Sequence, residues 1–307
     1  MSDDGLMSDD GLVNDGLVND ALVADGFVSR RLTGSHRVFD RVSEEYDATR
    51  PHYPEALYLA LEEMSGIRLD GATVIDVGAG TGISTRGLLD RGARVVAVDR
   101  GERMLARLRA RTTCPALLAN GDDLPFRAGV ADLVTYAQSW HWLDPALSVA
   151  EAVRVTRAGG AVAGWWNSVD PGKADWLAAN QVRIAESCPG YIGPVLPGWR
   201  MPPLAAAMSG SGPGGGLGGA VDGAVDGGPD GGLGGGLDVA ETWVTWTRSV
   251  RLEDFLTDLR THSYMASMDG DVVADLLARE RAELGRVFPD GTLTVPMRVY
   301  LVVGRRG

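Results

Sequence analysis

Between residues 54 and 166, apolar and polar positions switch repeatedly between a strand-like and a helix-like rhythm. Val74-Ile75-Asp76-Val77 and Arg94-Val95-Val96-Ala97-Val98-Asp99 are short runs rich in β-branched residues, the signature of strands buried on both faces. A third apolar run covers Ala116-Leu117-Leu118-Ala119, a fourth strand is predicted near Ala131–Tyr136, and a fifth at Ala161–Trp166 after Gly159-Gly160. Helices are predicted over Pro54–Met64, near Ile83–Arg91 and Glu102–Arg111, and from Pro145 to Thr156. Pro54 suits a first helical turn because its ring presets φ and its missing N–H would be unpaired there anyway. Strands alternating with helices of this length predict an α/β fold built on a doubly wound, mostly parallel sheet.

Two segments break the rhythm. Residues 1–28 are an imperfect repeat (SDDGLM, SDDGLV, NDGLV, NDALV, ADGFV) whose period of five or six fits neither helix nor strand. Residues 209–237 hold 15 Gly among 29, a composition that loses too much chain entropy on ordering. Both read as low-complexity segments without a packed core. They also carry the charge. Without the seven Asp of residues 1–29 and the four of residues 204–240, the net charge of −12 falls to −1. A nearly neutral remainder argues against nucleic acid, which proteins usually meet with a basic face. Cys114 and Cys188 stand alone, without metal-ligand spacing, and predict a reducing, cytoplasmic setting. Neither a membrane span nor a signal-peptide pattern is visible.

The candidate chemistry begins at Asp76-Val77-Gly78-Ala79-Gly80-Thr81-Gly82. A strand ending in alternating glycines before a helix must turn sharply and bring its backbone close to a ligand, which side-chain-free residues allow. The spacing separates two nucleotide classes. A dinucleotide site uses G-x-G-x-x-G, and the place of its third glycine is taken here by Ile83. Asp76 would face a pyrophosphate unfavourably and suits a ligand with an amino group. Asp99 ends the second strand 17 residues after Gly82, where a carboxylate can accept two ribose hydroxyls. Asp122 follows the third apolar run and is placed for an adenine amino group.

These residues resemble the class I S-adenosylmethionine (SAM)-dependent methyltransferases. The likeness rests on Val74–Gly82, Val95–Asp99 with Met104-Leu105, Gly121–Phe126, Ala131-Asp132-Leu133-Val134 and Arg157-Ala158-Gly159-Gly160, in order, over roughly residues 36–167. It implies a seven-stranded Rossmann-like sheet closed by an antiparallel pair, for which Trp243–Val250 and Val295–Val303 are the candidates, with Pro296 at a strand start or edge. Helices around Leu252–Ser263 and Val272–Val287 lie between them. The implied organisation is an acidic tail (1–29), a SAM-binding core (30–167), a substrate-side helical region (168–203), a Gly-rich insertion (204–240) and a C-terminal completion of the sheet (241–307).

The resemblance implies SAM as cofactor and assigns positions to it. The backbone of Gly78, Ala79 and Gly80 cradles the methionine part with Asp76 near its amino end. Asp99 takes the ribose, Arg100 and Met104 flank the adenine, and Asp122, Asp123 and Leu124 meet its edge. Gln138 completes the cofactor set, with Arg50 as partner for the SAM carboxylate and Tyr46 closing the methyl pocket. The run Tyr136-Ala137-Gln138-Ser139-Trp140-His141-Trp142-Leu143-Asp144 resembles a bacterial small-molecule subgroup and, more distantly, the trans-aconitate methyltransferase type. His141 is the catalytic candidate: it either takes a proton from an acceptor hydroxyl, caps the following helix, or orders the cofactor loop. His52, Trp165, Trp166, His262 and Tyr264 are further acceptor-pocket candidates. No carboxylate or His cluster has metal-ligand spacing. The expected activity is methyl transfer to a small organic acceptor, most plainly at oxygen. N- or C-methylation, a SAM-binding enzyme that transfers no methyl, and a non-catalytic binding module stay open, and the sequence is silent on oligomeric state.

Overall fold

A computed structural model describes residues 52–191, 193–196, 201–210 and 237–307. Seven strands form one sheet in the order β3-β2-β1-β4-β5-β7-β6. They are β1 (Thr73–Val77), β2 (Arg94–Asp99), β3 (Ala116–Leu118), β4 (Ala131–Ala137), β5 (Thr156–Val169), β6 (Asp238–Arg251) and β7 (Thr292–Arg305). The first five run parallel. Strand β7 lies antiparallel between β5 and β6, as the resemblance implied.

Successive side chains of each strand leave the sheet on opposite faces, so both faces carry a core. On one, Ile75, Val77, Val96, Val98, Val134, Tyr136 and Trp166 pack with Trp140 and Val149. On the other, Val74, Val95, Leu133, Ala161 and Trp165 pack with Leu57 and Leu61 of helix α1 (Glu55–Ser65). Helices α2 (Ile83–Leu89) and α3 (Glu102–Arg109) follow β1 and β2, and α4 (Pro145–Val155) links β4 to β5. A separate lobe packs helices α5 (Asp175–Ser187), α7 (Leu252–Arg260), α8 (Ser263–Ala266) and α9 (Gly270–Val287) against Val250, Leu293 and Val295. Helix α6 (Leu204–Met208) buries Leu204 and Met208 in the first core. The Gly-rich insertion is therefore narrower than expected: residues 204–210 are structured and β6 begins at Asp238.

Pro296 lies inside β7 rather than at its start, yet the edge rule still accounts for it. Its carbonyl accepts from the Asp170 N–H, just beyond Val169, the last β5 residue paired with β7. In an antiparallel strand one residue's N–H and C=O point the same way, so the missing N–H faces the side where β5 has ended.

The order of strands locates the site. From β1 the chain builds outward through β2 and β3, then crosses back to place β4 on the other side of β1. Such a reversal leaves a crevice at the carboxyl ends of β1 and β4, where open α/β sheets bind ligands. Among the described residues no helix is long and apolar enough to cross a membrane.

Candidate active site

The glycine loop leaves β1 with Gly78, Gly80 and Gly82 all at positive φ (69°, 57° and 86°). Gly78 is needed twice over. A Cβ there would lie 2.3 Å from Ser139 Cβ, so the missing side chain lets the end of β4 close onto the end of β1. Ser139 Oγ then donates to the Val77 carbonyl at 2.6 Å. Gln138 beside it is the only non-glycine at positive φ among the described residues (54°). Its N–H donates to the Trp165 carbonyl at 2.9 Å, which holds the turn.

The N–H groups of Gly78, Ala79 and Gly80 are spent internally. Those of Gly78 and Ala79 donate to the Val98 carbonyl (2.7 and 3.0 Å), and that of Gly80 donates to Asp99 Oδ2 (2.8 Å). A pyrophosphate needs such N–H groups facing outward, so this bend is not shaped for one. The expected backbone cradle of Gly78, Ala79 and Gly80 is thus one of close approach: a Cβ on Gly80 would meet nothing within 4 Å. Asp99 accepts a second N–H, from Gly101 at 2.7 Å on Oδ1. The two N–H groups fix the orientation of a carboxylate at a strand end, where a ribose is met in open α/β sheets.

Asp76 is a correction. It does not line the crevice but is completely buried, with Oδ2 accepting from Thr85 (2.7 Å) and Oδ1 from Thr135 (2.8 Å). These hydroxyls come from α2 and from the residue facing Asp76 on β4, so the carboxyl ties three elements beneath the loop. Desolvation pushes its pKa up to about 6, partly offset by the two hydroxyl donors.

Asp122, Asp123 and Leu124 lie on the loop after β3. Asp122 Oδ1 accepts from the Asp144 N–H at 3.0 Å, and its pKa is raised chiefly by desolvation, with the Arg100 guanidinium opposing. Leu124 is buried, and its N–H donates to Glu151 at 2.7 Å. Arg154 reinforces the loop by donating to the Phe126 and Leu124 carbonyls. Asp123 is exposed, its N–H donating to the Asn120 carbonyl, and Met104 is half-buried on α3 near Gly101. Arg50 and Tyr46 lie outside the described residues.

His141 sits in a single turn of 3-10 helix, Trp140–Trp142, two residues beyond Ser139. Its Nδ1 accepts from Trp166 Nε1 at 3.1 Å, and its ring tilts against Trp142 with centroids 4.8 Å apart. Although part of the residue faces solvent, desolvation among these rings lowers its pKa below the ordinary histidine value. It does not cap α4; Asp144 does, accepting from Ala146 and Leu147 N–H groups. The expected base role meets an obstacle as well, because the one lone pair of the neutral ring is already engaged by the indole.

The other acceptor-pocket candidates divide. Trp166 joins His141, whereas Trp165 is fully buried on the opposite face of the sheet beside Tyr53. His262 and Tyr264 stack in the C-terminal lobe with centroids 5.2 Å apart. His52 lines a groove of about 850 Å³ with Arg86, Arg91 and Arg109, away from Asp99 and His141. Ser139, Thr85, Thr135 and Arg154 were not anticipated. Of these, only Ser139 falls in a run the sequence singles out, Tyr136–Asp144.

Comparison with known proteins supplies the deciding observation. The family described as "Methyltransferase domain" matches residues 75–164, which hold the loop, Asp99, Asp122 and His141. Residues 75–164 are therefore similar to a methyltransferase domain. An uncharacterized methyltransferase of Mycobacterium tuberculosis is 41% identical over 127 residues, 41% of this chain and 50% of that protein. A malonyl-[acyl-carrier protein] O-methyltransferase of Halorhodospira halophila is 35% identical over 133 residues, 41% of this chain and 45% of that one. The methyltransferase domain thus aligns with about half the length of these relatives. The fold agrees over a wider span with a solved, provisionally named type II methyltransferase from Anaeromyxobacter dehalogenans. That likeness has a TM-score of 0.56 at 22% identity and covers 83% of this chain and 97% of that one.

Proposed function

We propose that this chain binds SAM at the β1–β4 crevice and transfers its methyl group to an oxygen of a small organic acceptor. The observation that carries the reading is Asp99: a strand-end carboxylate held by the Gly80 and Gly101 N–H groups, beside a loop whose Gly78, Ala79 and Gly80 N–H groups point inward. When bound, SAM supplies a methyl already activated on a sulfonium. The chain has to bind, orient and exclude water. Asp99 fixes the ribose, Arg100 and Asp122 border the adenine edge, and the Gly78–Ser139 contact sets the spacing of the two strand ends that flank the methyl. Asp76 acts beneath the loop as its anchor.

Oxygen as the methylated atom is supported by the name of the Halorhodospira relative, which specifies it. A small acceptor suits the near-neutral charge outside the two Asp-rich segments, and nucleic acid is excluded from the reading on the same ground. Two buried, unpaired cysteines suit a reducing cytoplasm. The test is incubation with methyl-labelled SAM and a metabolite extract. A product heavier by one methyl, formed with S-adenosylhomocysteine, is expected. Cofactor consumption without that gain, or no turnover, overturns methyl transfer. Asp99→Ala should weaken SAM binding by tenfold or more, at about 1.5 kcal/mol per lost charged hydrogen bond; calorimetry showing unchanged affinity would contradict the assignment.

A further inference from the structure

The donor direction at His141 has a consequence for the substrate. Tryptophan N–H can only donate, so the Trp166 contact at 3.1 Å requires an unprotonated Nδ1 on His141. A neutral imidazole then carries its proton on Nε2. Among the described residues, no protein group accepts from Nε2. The indole cannot swing away. Trp166 lies in β5 at 5% exposure, packs against Tyr300 of β7 (centroids 6.3 Å apart), and has Gly164 beside it, where a Cβ would come within 3.3 Å of its ring.

We propose that Trp166 locks His141 as a hydrogen-bond donor, not a base, and that the acceptor is an organic acid whose oxygen is already ionised when it binds. This rests on the methyl-transfer reading and names its substrate class: a carboxylate, an acidic phenol or an enol. The carboxylates of the same loop do not compete for the ring. Asp144 is occupied in capping α4 and Asp122 in holding the Asp144 N–H. The Trp166 N–H on Nδ1 and desolvation both favour the neutral ring. Trp142, 54% exposed beside the imidazole, offers an aromatic face to the body of such an acid. The balance closes without a base. The acceptor oxygen's own electron pair forms the new carbon–oxygen bond, the carbon–sulfur pair stays on sulfur, and no proton is released. Trp166 is a positioning residue, acting through His141.

Nitrogen-15 NMR of the full chain, labelled at histidine, reads the tautomer directly. Above the ordinary histidine pKa, at about pH 8, His141 should show a protonated Nε2 and a bare Nδ1. In Trp166→Phe that preference should fade and the ring should titrate closer to its ordinary value. A proton on Nδ1, or a spectrum unchanged by Trp166→Phe, overturns the inference. Turnover supplies a second reading. His141→Gln keeps an N–H but cannot take a proton, so it should retain clearly more turnover than His141→Phe. His141→Phe should fall about tenfold or more, the range for a hydrogen bond to a charged group. Gln and Phe variants equally impaired would mean a base. If no acceptor is methylated but NMR shows the Nε2 proton, the functional reading falls and the donor assignment stands.

Discussion

Gly78 and Gly80 share a positive φ but should respond differently to a methyl group. Gly80→Ala meets open space and should lose only the left-handed backbone penalty, about 1 kcal/mol. Gly78→Ala adds a collision with Ser139 and should lose about 2 to 4 kcal/mol, once overpacking is included. Chemical denaturation measures both; equal losses would mean that the strand ends do not depend on that contact. Asp76 makes a pH prediction. Its folded pKa of about 6 lies above the unfolded value of 3.8, so between these values the native state holds a proton the unfolded state has lost. Stability from this group is therefore greatest at low pH and declines as pH rises toward 6, by about 3 kcal/mol in all. Asp76→Asn should remove that slope, and its stability relative to the parent should rise across the same window. Parallel curves for the two proteins would contradict the assignment.

At the scale of elements, the C-terminal lobe depends on one buried acid. Glu280 of α9 is 1% exposed and accepts from Asn180 (2.8 Å) and twice from Arg183 (2.6 and 2.7 Å) on α5. Glu280→Ala would strand these donors and should cost the lobe about 3 to 5 kcal/mol. Hydrogen exchange should accelerate in residues 175–187 and 270–287 while β1 and β4 stay protected. Uniform acceleration would mean that the lobe and the sheet unfold as one. The sequence disclosed the central strands because they are apolar on both faces. It understated β6 and β7, which run to 14 residues each, because β6 alternates with polar residues such as Glu241, Thr245 and Thr247 at the sheet's edge. The true start of β6 and the short α6 were hidden by glycine-rich composition beside them.

For the whole molecule, the residues proposed to meet the ligand are the ones the sequence points to, whereas their supports are not legible in it. Asp99 and the glycines announce themselves because they fall at strand ends, and Asp122 because it follows the third apolar run. Asp76 was misplaced because its partners, Thr85 and Thr135, reach it only through the β1–β4 register and the return of α2. The Trp166–His141 contact joins residues 25 apart and depends on β5 lying next to β4. The central claim is that this crevice accepts a sulfonium nucleoside and rejects a pyrophosphate. Calorimetric titration of the full chain with SAM and, separately, with NADH tests it most directly. Saturable binding of SAM that is lost in Asp99→Ala, with no heat from NADH, is the predicted result. NADH binding in a chain that ignores SAM would contradict it.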